Sequence, residues 1–553
     1  MIGAALHLSK SPSISDSPHG DTGFADELAV APSADGKGAC VPILDWMTRS
    51  EDVVAAARVP YRMLEAVPEL DGGDGDPANM LIQGDNLDAL KALLPYYTGR
   101  VKCIYIDPPY NTRSAFEHYD DNLEHAQWLA MIYPRLVLLR ELLAEDGSIW
   151  ITLDDNEIHY MKVISDEVFG RSNYISSIAW QKVFAKKNKA LISGSHDHIL
   201  VYAKNYNNWT RNLIPRSDGQ MSAFSNKDND HRGPWQSVAY SVQSEDSARR
   251  TAYRYEIELP SGRKVLPPSG RHWNGLPDRT TSLIDDNRLW FGRDGNSPPR
   301  LKVFLSEVQQ GVVPDTWWDH SSAGNNQESK KEQVTLFPGI EPFGTPKPEK
   351  LISKVVHIAT NPGDLVLDSF LGSGTTAAVA QKMGRRWIGI EMGDHAETHC
   401  KPRLDKVIAG EQGGISTAVG WQGGGGYRYY RLGPPAFDAS GRIDPEIGFD
   451  ALAAHVWFAE TGQPAARTGD ARSPVLGVHE GTAYALLYNG VLGDRRPDSG
   501  NVLTAPVMAH LREELSGHDG PWTIYGEACR MSTAKLAAAG ITFKQTPYDV
   551  KAR

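Results

Sequence analysis

The chain has 553 residues, more than one hydrophobic core ordinarily supports, so two or three domains are expected. Hydrophobic residues make up 41% and charged residues 23%, and no apolar run is long enough for a helix to span a bilayer, so no membrane association is expected. The net charge of −11 does not exclude a nucleic acid, because binding depends on the local basic surface rather than the total.

Residues 2–8 are apolar but lack a basic leader and are short for a secretory signal, so a cytoplasmic location is expected. Residues 1–45 are rich in Ser, Gly, Ala and Asp without apolar periodicity and read as a flexible leader. A first α/β part, 46–171, opens with a strand at 80–83, helical spacing over 87–94 and a strand at 101–106. Trp128, Leu129, Ile132, Leu136, Leu139 and Leu143 outline a longer helix containing Pro134, with Gly147 as its predicted C-terminal stop; SIWITLD then predicts another strand.

Between 172 and 344 periodicity weakens. Lys182, Lys186, Lys187, Lys189 and Lys204 outnumber the single acid Asp197 there, and this is the predicted DNA-facing section: lysines neutralise phosphates, and Trp180 or Phe184 is placed to contact bases. The plainer alternative is a solvated loop with buried aromatics, which is the readier reading for any one lysine. Over 345–432 order returns, with a helix at 351–358, a strand at 365–368, a glycine turn, a helix through Ala380 and a strand at 387–391. GYRYYRL is expected to pair back onto this domain. The tail, 433–553, reads as a small α/β module for dimer or partner contacts, with strands at 483–488 and 522–525 and helices at 508–515 and 533–539.

The turn LVLDSFLGSGTT places Gly372 and Gly374 where a strand hands over to a helix, so a ligand can approach the backbone and the N–H groups of the helix start. A purely structural turn would carry the same glycines. The preceding Asp368 and the following Glu391, near the spacing of a ribose-binding acid, favour a nucleoside-containing cofactor. Neither G-x-x-x-x-G-K-[ST] nor a full G-x-G-x-x-G is present, since Ala377 takes the third position after Gly374. S-adenosylmethionine, with a ribose and adenine but no pyrophosphate, fits better than ATP or a dinucleotide.

CIYIDPPYNT ends an apolar run on an acid, two prolines and an aromatic. Pro108 and Pro109 stiffen the loop and leave the Pro108 carbonyl able to accept; Asp107 is a second acceptor and Tyr110 a stacking face. Two acceptors and a ring suit the exocyclic amine of a base turned out of a duplex. A rigid proline turn with a core tyrosine is the plainer account of those letters alone.

DPPY followed by F-x-G-x-G-T (Phe370, Gly372, Gly374, Thr375) resembles the amino-group DNA methyltransferases, and the motif order resembles their β class. GDNLDALKAL, CIYIDPPYNT, FEHYDDNLEH, SIWITLDDNE, TPKPEKLI and ITFKQTPYDVKAR look like the modification subunit of type III restriction-modification systems. The resemblance implies an α/β fold: a Rossmann-like S-adenosylmethionine-dependent methyltransferase sheet, an inserted target-recognition region at 172–344 and a small C-terminal module. It implies that Asp107, Pro108, Pro109 and Tyr110 are catalytic on the N6 amine of adenine. It further implies that Asp368, Phe370, Gly372, Gly374, Thr375 and Glu391, with Asp107, hold the cofactor, and that Asp85 and Asn86 lie close to it. Double-stranded DNA, a second copy and an ATP-dependent restriction subunit are the implied partners. Ser369 stands where the family often has proline, which loosens the turn without removing an expected contact.

N4-cytosine methylation satisfies the same acceptor logic. A non-catalytic DNA-recognition subunit is the reading outside enzymes, but a binding module does not need Asp107, Tyr110 and the glycine turn together. The cysteines Cys40, Cys103, Cys400 and Cys529 form no C-x-x-C pair, so neither a zinc ribbon nor a disulfide scaffold is expected. His196 and His198 flank Asp197 without a recognisable further ligand and read as structural or DNA-contacting; no metal is expected. Asp154 and Asp155 read as a strand end and a helix cap, and Trp317 and Trp318 as packing or stacking residues.

Overall fold

The computed structural model describes residues 42–74, 78–112, 124–186, 191–243, 251–339, 343–436, 447–465, 473–488, 491 and 501–546. Most of the 1–45 leader, Cys40, Lys187, Lys189, most of FEHYDDNLEH and the last residues of the tail lie outside them.

The chain divides into two compact units, residues 1–210 with 316–553, and Arg211–Asp315. In the first, the main-sheet strands include β1 (Arg62–Ala66), β2 (Met80–Gln83), β3 (Val101–Ile106), β4 (Leu143–Leu153), β5 (Tyr174–Trp180) and β6 (Asp197–Ala203). After the second unit follow β7 (Trp317–Trp318), β8 (Leu365–Asp368), β9 (Arg386–Glu391) and β10 (Gly426–Pro435). They form one sheet in the order β1-β10-β2-β9-β8-β3-β4-β6-β5-β7. From β10 through β4 every pairing is parallel; β1 on β10, and β6 on both β4 and β5, are antiparallel. GYRYYRL is therefore β10, seated between β1 and β2.

The central strands are near-continuous apolar runs because both faces are covered. Helices α1 (Asn86–Tyr97) and α2 (His125–Leu142) pack together, and their Leu90, Leu93, Ile132, Leu136 and Leu139 share a cluster with Ile104 and Ile106 of β3. The alternate β3 residues Cys103 and Tyr105 are equally buried and point the other way. Each such leucine contributes about 1.5–3 kcal/mol through burial. Helices α3 (Ile158–Ser165), α4 (Asn326–Leu336), α5 (Glu349–Ala359), α6 (Thr375–Lys382) and α7 (Lys401–Ile408) complete this part, with α5 against α6 and α6 against α7.

One expected boundary moves. Gly147 does not stop a helix: α2 ends at Leu142, β4 begins at once, and Gly147 lies inside it. A Cβ there would sit 2.7 Å from the Val101 carbonyl oxygen, so the glycine answers to the close approach of β3, where the register slips. β5, β6 and β7, all from the 172–344 stretch, are strands of the main sheet, and the separate unit is the shorter Arg211–Asp315.

That unit has its own antiparallel sheet, Leu289–Trp290, Arg300–Phe304 and Trp235–Ala239, and a core of Tyr240, Ile257, Leu259, Trp273, Leu289 and Phe291. In the tail, strands Val475–His479, Thr482–Leu486, Trp522–Gly526 and Ile541–Gln545 form a four-stranded sheet, with helices Ala505–Glu514 and Thr533–Ala538 beside it in sequence. Among the described residues no helix is long and apolar enough to cross a membrane.

Candidate active site

β3 and β8 are parallel neighbours, paired at Val366 with Cys103 and at Leu367 with Ile104. DPPY and the glycine turn, some 260 residues apart in sequence, therefore leave the same edge of the sheet side by side. The carboxyl ends of parallel strands are where open α/β sheets bind ligands.

DPPY is held by neighbours on three sides. Trp128 Nε1 donates to the Pro109 carbonyl at 2.8 Å, and the Asn111 amide donates to Glu157 at 2.7 Å. Asn111 has φ of 55°, a left-handed conformation that asparagine tolerates and that turns the chain sharply after Tyr110. The Tyr110 hydroxyl donates to the buried Asp197 at 3.3 Å. Burial, then the charges of Asp107 and Asp197, push this phenol well above its ordinary pKa, so it remains protonated.

Two ammonium groups flank the ring. Lys347 lies 5.1 Å and Lys182 5.9 Å from the Tyr110 centroid, within cation–π range. Lys347 also pairs with Asp107 Oδ2, while Asp107 Oδ1 is buried without a hydrogen-bond partner. Buried acceptors are nearly always satisfied, so this oxygen marks a place for a ligand donor.

The glycine turn is shaped from within. Asp368 Oδ1 accepts from Phe370 N at 2.9 Å and Oδ2 from the Thr376 hydroxyl at 2.6 Å. Burial raises the Asp368 pKa to about 7; these hydrogen bonds oppose the shift, and the nearby Asp107 adds to it. Gly372 and Gly374 have φ of 57° and 78°, and a Cβ on Gly374 would lie 3.3 Å from Cys400 Cα, so the turn requires residues without one. Glu391, 2% exposed at the end of β9, accepts from Gly372 N at 2.6 Å. The partly buried Phe370 packs against the main core, and Phe343 covers Gly372.

From the start of α1, the Asn86 amide donates to the Ser369 carbonyl at 2.7 Å, and Arg135 binds Asn86 and pairs with Asp85 at 3.0 Å. Asp85 caps α1, so GDN ties this helix to the turn. The Ser369 hydroxyl is also buried without a hydrogen-bond partner.

Thr375 points into the interior. Its hydroxyl donates to the Lys347 carbonyl at 3.2 Å and accepts from Arg403 at 2.8 Å, within a buried set joining Arg403, Glu349 and Lys382. Lys347 therefore links the motifs: its backbone is anchored by the glycine turn and its ammonium holds Asp107. Within TPKPEKLI its local sequence assigns it no role. Sequence likewise gives Asp197 no role beyond an acid among lysines and between two histidines.

Several readings of the lysine-rich segment change. Lys182 pairs with Asp197 at 2.5 Å beside Tyr110, so it is engaged at the site rather than offered to phosphates. Trp180 is fully buried and donates to the Gly324 carbonyl, so it cannot reach a base. Lys186 and Phe184 are exposed. Trp318 is buried against Trp150, whereas Trp317 is half-exposed.

The sequence model of the family described as DNA methylase (N6_N4_Mtase) matches residues 101–401, from β3 into α7. The chain belongs to this family. It is 31% identical over 423 residues to the probable type III restriction-modification enzyme HindVI Mod subunit of Haemophilus influenzae, covering 65% of this chain and 55% of that one. To the StyLTI Mod subunit of Salmonella typhimurium it is 33% identical over 330 residues, 54% of this chain and 49% of that one. The chain thus spans about half the length of these relatives. Among solved structures, the M1.HpyAVI–SAM complex is 17% identical, covers 59% of this chain and 99% of its own, and gives a TM-score of 0.29. The mostly parallel α/β sheet is the fold this DNA methylase family member presents.

Proposed function

We propose that this chain transfers a methyl group from S-adenosylmethionine to the N6 amine of an adenine turned out of double-stranded DNA. In this reading it is the modification and recognition subunit of a type III-like restriction-modification system. The observation that carries the reading is Asp107, which ends the strand beside the glycine turn with one buried, unpartnered oxygen. Family membership and the likeness to two Mod subunits support it.

The site residues fit the cofactor: glycines at 372 and 374, the Glu391 carboxylate behind them, and unpartnered buried oxygens on Asp107 and Ser369. When bound, the cofactor supplies an electrophilic sulfonium methyl. The adenine amine is a poor nucleophile because its lone pair is delocalised into the ring. Asp107 Oδ1 and the Pro108 carbonyl would accept its two hydrogens and favour a pyramidal nitrogen, freeing its lone pair to act as the nucleophile. Tyr110, fixed by Asp197, stacks on the base, and Lys347 holds Asp107 in orientation. The surplus proton leaves through Asp107.

Arg211–Asp315 and the exposed Lys186 are assigned to DNA recognition, with a restriction subunit and a second copy as partners. Incubation with methyl-labelled S-adenosylmethionine and mixed-sequence duplex DNA, then nucleoside analysis, tests the reading; label is expected in N6-methyladenine. Label in N4-methylcytosine would move the target to cytosine, and no label despite cofactor binding would leave a recognition subunit.

A further inference from the structure

Two features that the sequence kept apart meet in the fold. β6 runs antiparallel to β4 with His198 opposite Leu153, which brings the start of β6 over the residues that follow β4. Asp154 turns away, its carboxylate bonded to Asn156 at 2.9–3.0 Å. Asp155 instead reaches across, 3.0 Å from His198 Nε2. The His196 ring stands edge-on to that of His198 with centroids 4.8 Å apart, and one ligand atom from each of Asp155, His196 and His198 lies within 4.8 Å of the others. His159, at the start of α3, brings a third imidazole, its ring 6.4 Å from His198.

We propose that Asp155, His196 and His198 bind a divalent transition-metal ion, with Zn²⁺ as the representative. Two imidazoles and one carboxylate form a borderline donor set that suits such an ion and disfavours Mg²⁺ or Ca²⁺, which prefer all-oxygen shells. Zinc–ligand lengths of about 2.0–2.2 Å require only a small inward movement of three partly exposed side chains. The remaining coordination is left to water or His159.

The site also has a place in the architecture. Asp197 stands between the two histidines and binds the Tyr110 hydroxyl and Lys182. An ion joining Asp155 to His196 and His198 staples the end of β4 to the start of β6 and fixes the residue on which Tyr110 rests. It plays this part whether or not the chain methylates DNA.

The test uses the full chain without an affinity tag, stripped with chelator, dialysed against ZnCl₂ and analysed for metal by plasma mass spectrometry. One Zn²⁺ per chain and a raised melting temperature are expected. Asp155→Ala changes an exposed residue and is expected to keep the fold by circular dichroism while weakening zinc at least about tenfold; His196→Ala with His198→Ala is expected to abolish retention. His399→Ala, a change in a different histidine pair, should leave the stoichiometry unchanged. Co²⁺ in place of Zn²⁺ should give visible absorption bands that vanish in Asp155→Ala. No retained zinc in the parent chain, or retention in Asp155→Ala and in the double variant equal to that of the parent, would overturn the proposal.

Discussion

Asp107 and Asp368 end adjacent parallel strands, and their surroundings divide their work. Asp368 spends both oxygens on its own turn, through Phe370 N and the Thr376 hydroxyl. Asp107 gives one oxygen to Lys347, from a segment 240 residues downstream, and leaves the other unpartnered. A satisfied buried acid sets a shape; an acid held by one oxygen is prepared to take a ligand. The same side chain at the same edge becomes scaffold or working group according to where its partners come from.

The largest way to break this contrast is at Asp107. Asp107→Ala should reduce methyl transfer about a thousandfold, roughly 4 kcal/mol of transition-state stabilisation, with cofactor affinity changed far less. Single-turnover transfer and calorimetric cofactor binding measure the two; near-normal transfer would remove Asp107 from the chemistry.

Stability against pH sharpens the other side. The folded-state pKa of Asp368 is raised to about 7, and so is that of Glu332, chiefly by burial and then by the charge of Glu349. A raised carboxyl gives stability that is full below its unfolded value near 4 and is lost as pH rises through 7. Between pH 5 and 7 each group lowers stability by up to about 1.4 kcal/mol per pH unit. Asp368→Asn should remove its share of that slope and leave that of Glu332, as read by urea unfolding across the range. An unchanged slope would show that Asp368 is ionised throughout.

Lys347→Met comes next. It leaves Asp107 in place but without its cation, and transfer should fall about tenfold through misorientation, less than in Asp107→Ala. Transfer kinetics for the two variants side by side decide this: an equal loss would make Lys347 as necessary as the acid it holds.

How far the sequence reaches follows the same line. β3, α1, β8, α6 and β9 were legible because buried strands and amphipathic helices write their periods locally, and DPPY and the glycine turn because proline and glycine constrain the backbone wherever they stand. The pairing of Lys347 with Asp107, of Asp197 with Tyr110 and of Asp155 with His198 was not, because each joins segments that only the sheet order brings together. The places of Lys182 and Trp180 were not legible for a related reason. A lysine-rich, aromatic segment looks solvent-facing in a window of sequence, yet β5 carries Trp180 into the main sheet and leaves Lys182 beside Tyr110.

The smallest effect concerns the rigidity of the loop itself. Pro109 has no N–H, so Trp128 Nε1 at 2.8 Å fixes this peptide from its carbonyl side, from a helix already packed on β3. Trp128→Phe keeps a ring in the core and removes that donor, leaving a carbonyl short of a partner at a cost of about 1 kcal/mol. Because the loop stays anchored through Asn111 and Tyr110, transfer should drop only a few-fold, with the stability loss as the clearer signal in urea unfolding. If Trp128→Phe instead lost transfer as completely as Asp107→Ala while remaining folded, the position of the Pro108–Pro109 backbone would matter as much as the carboxylate beside it.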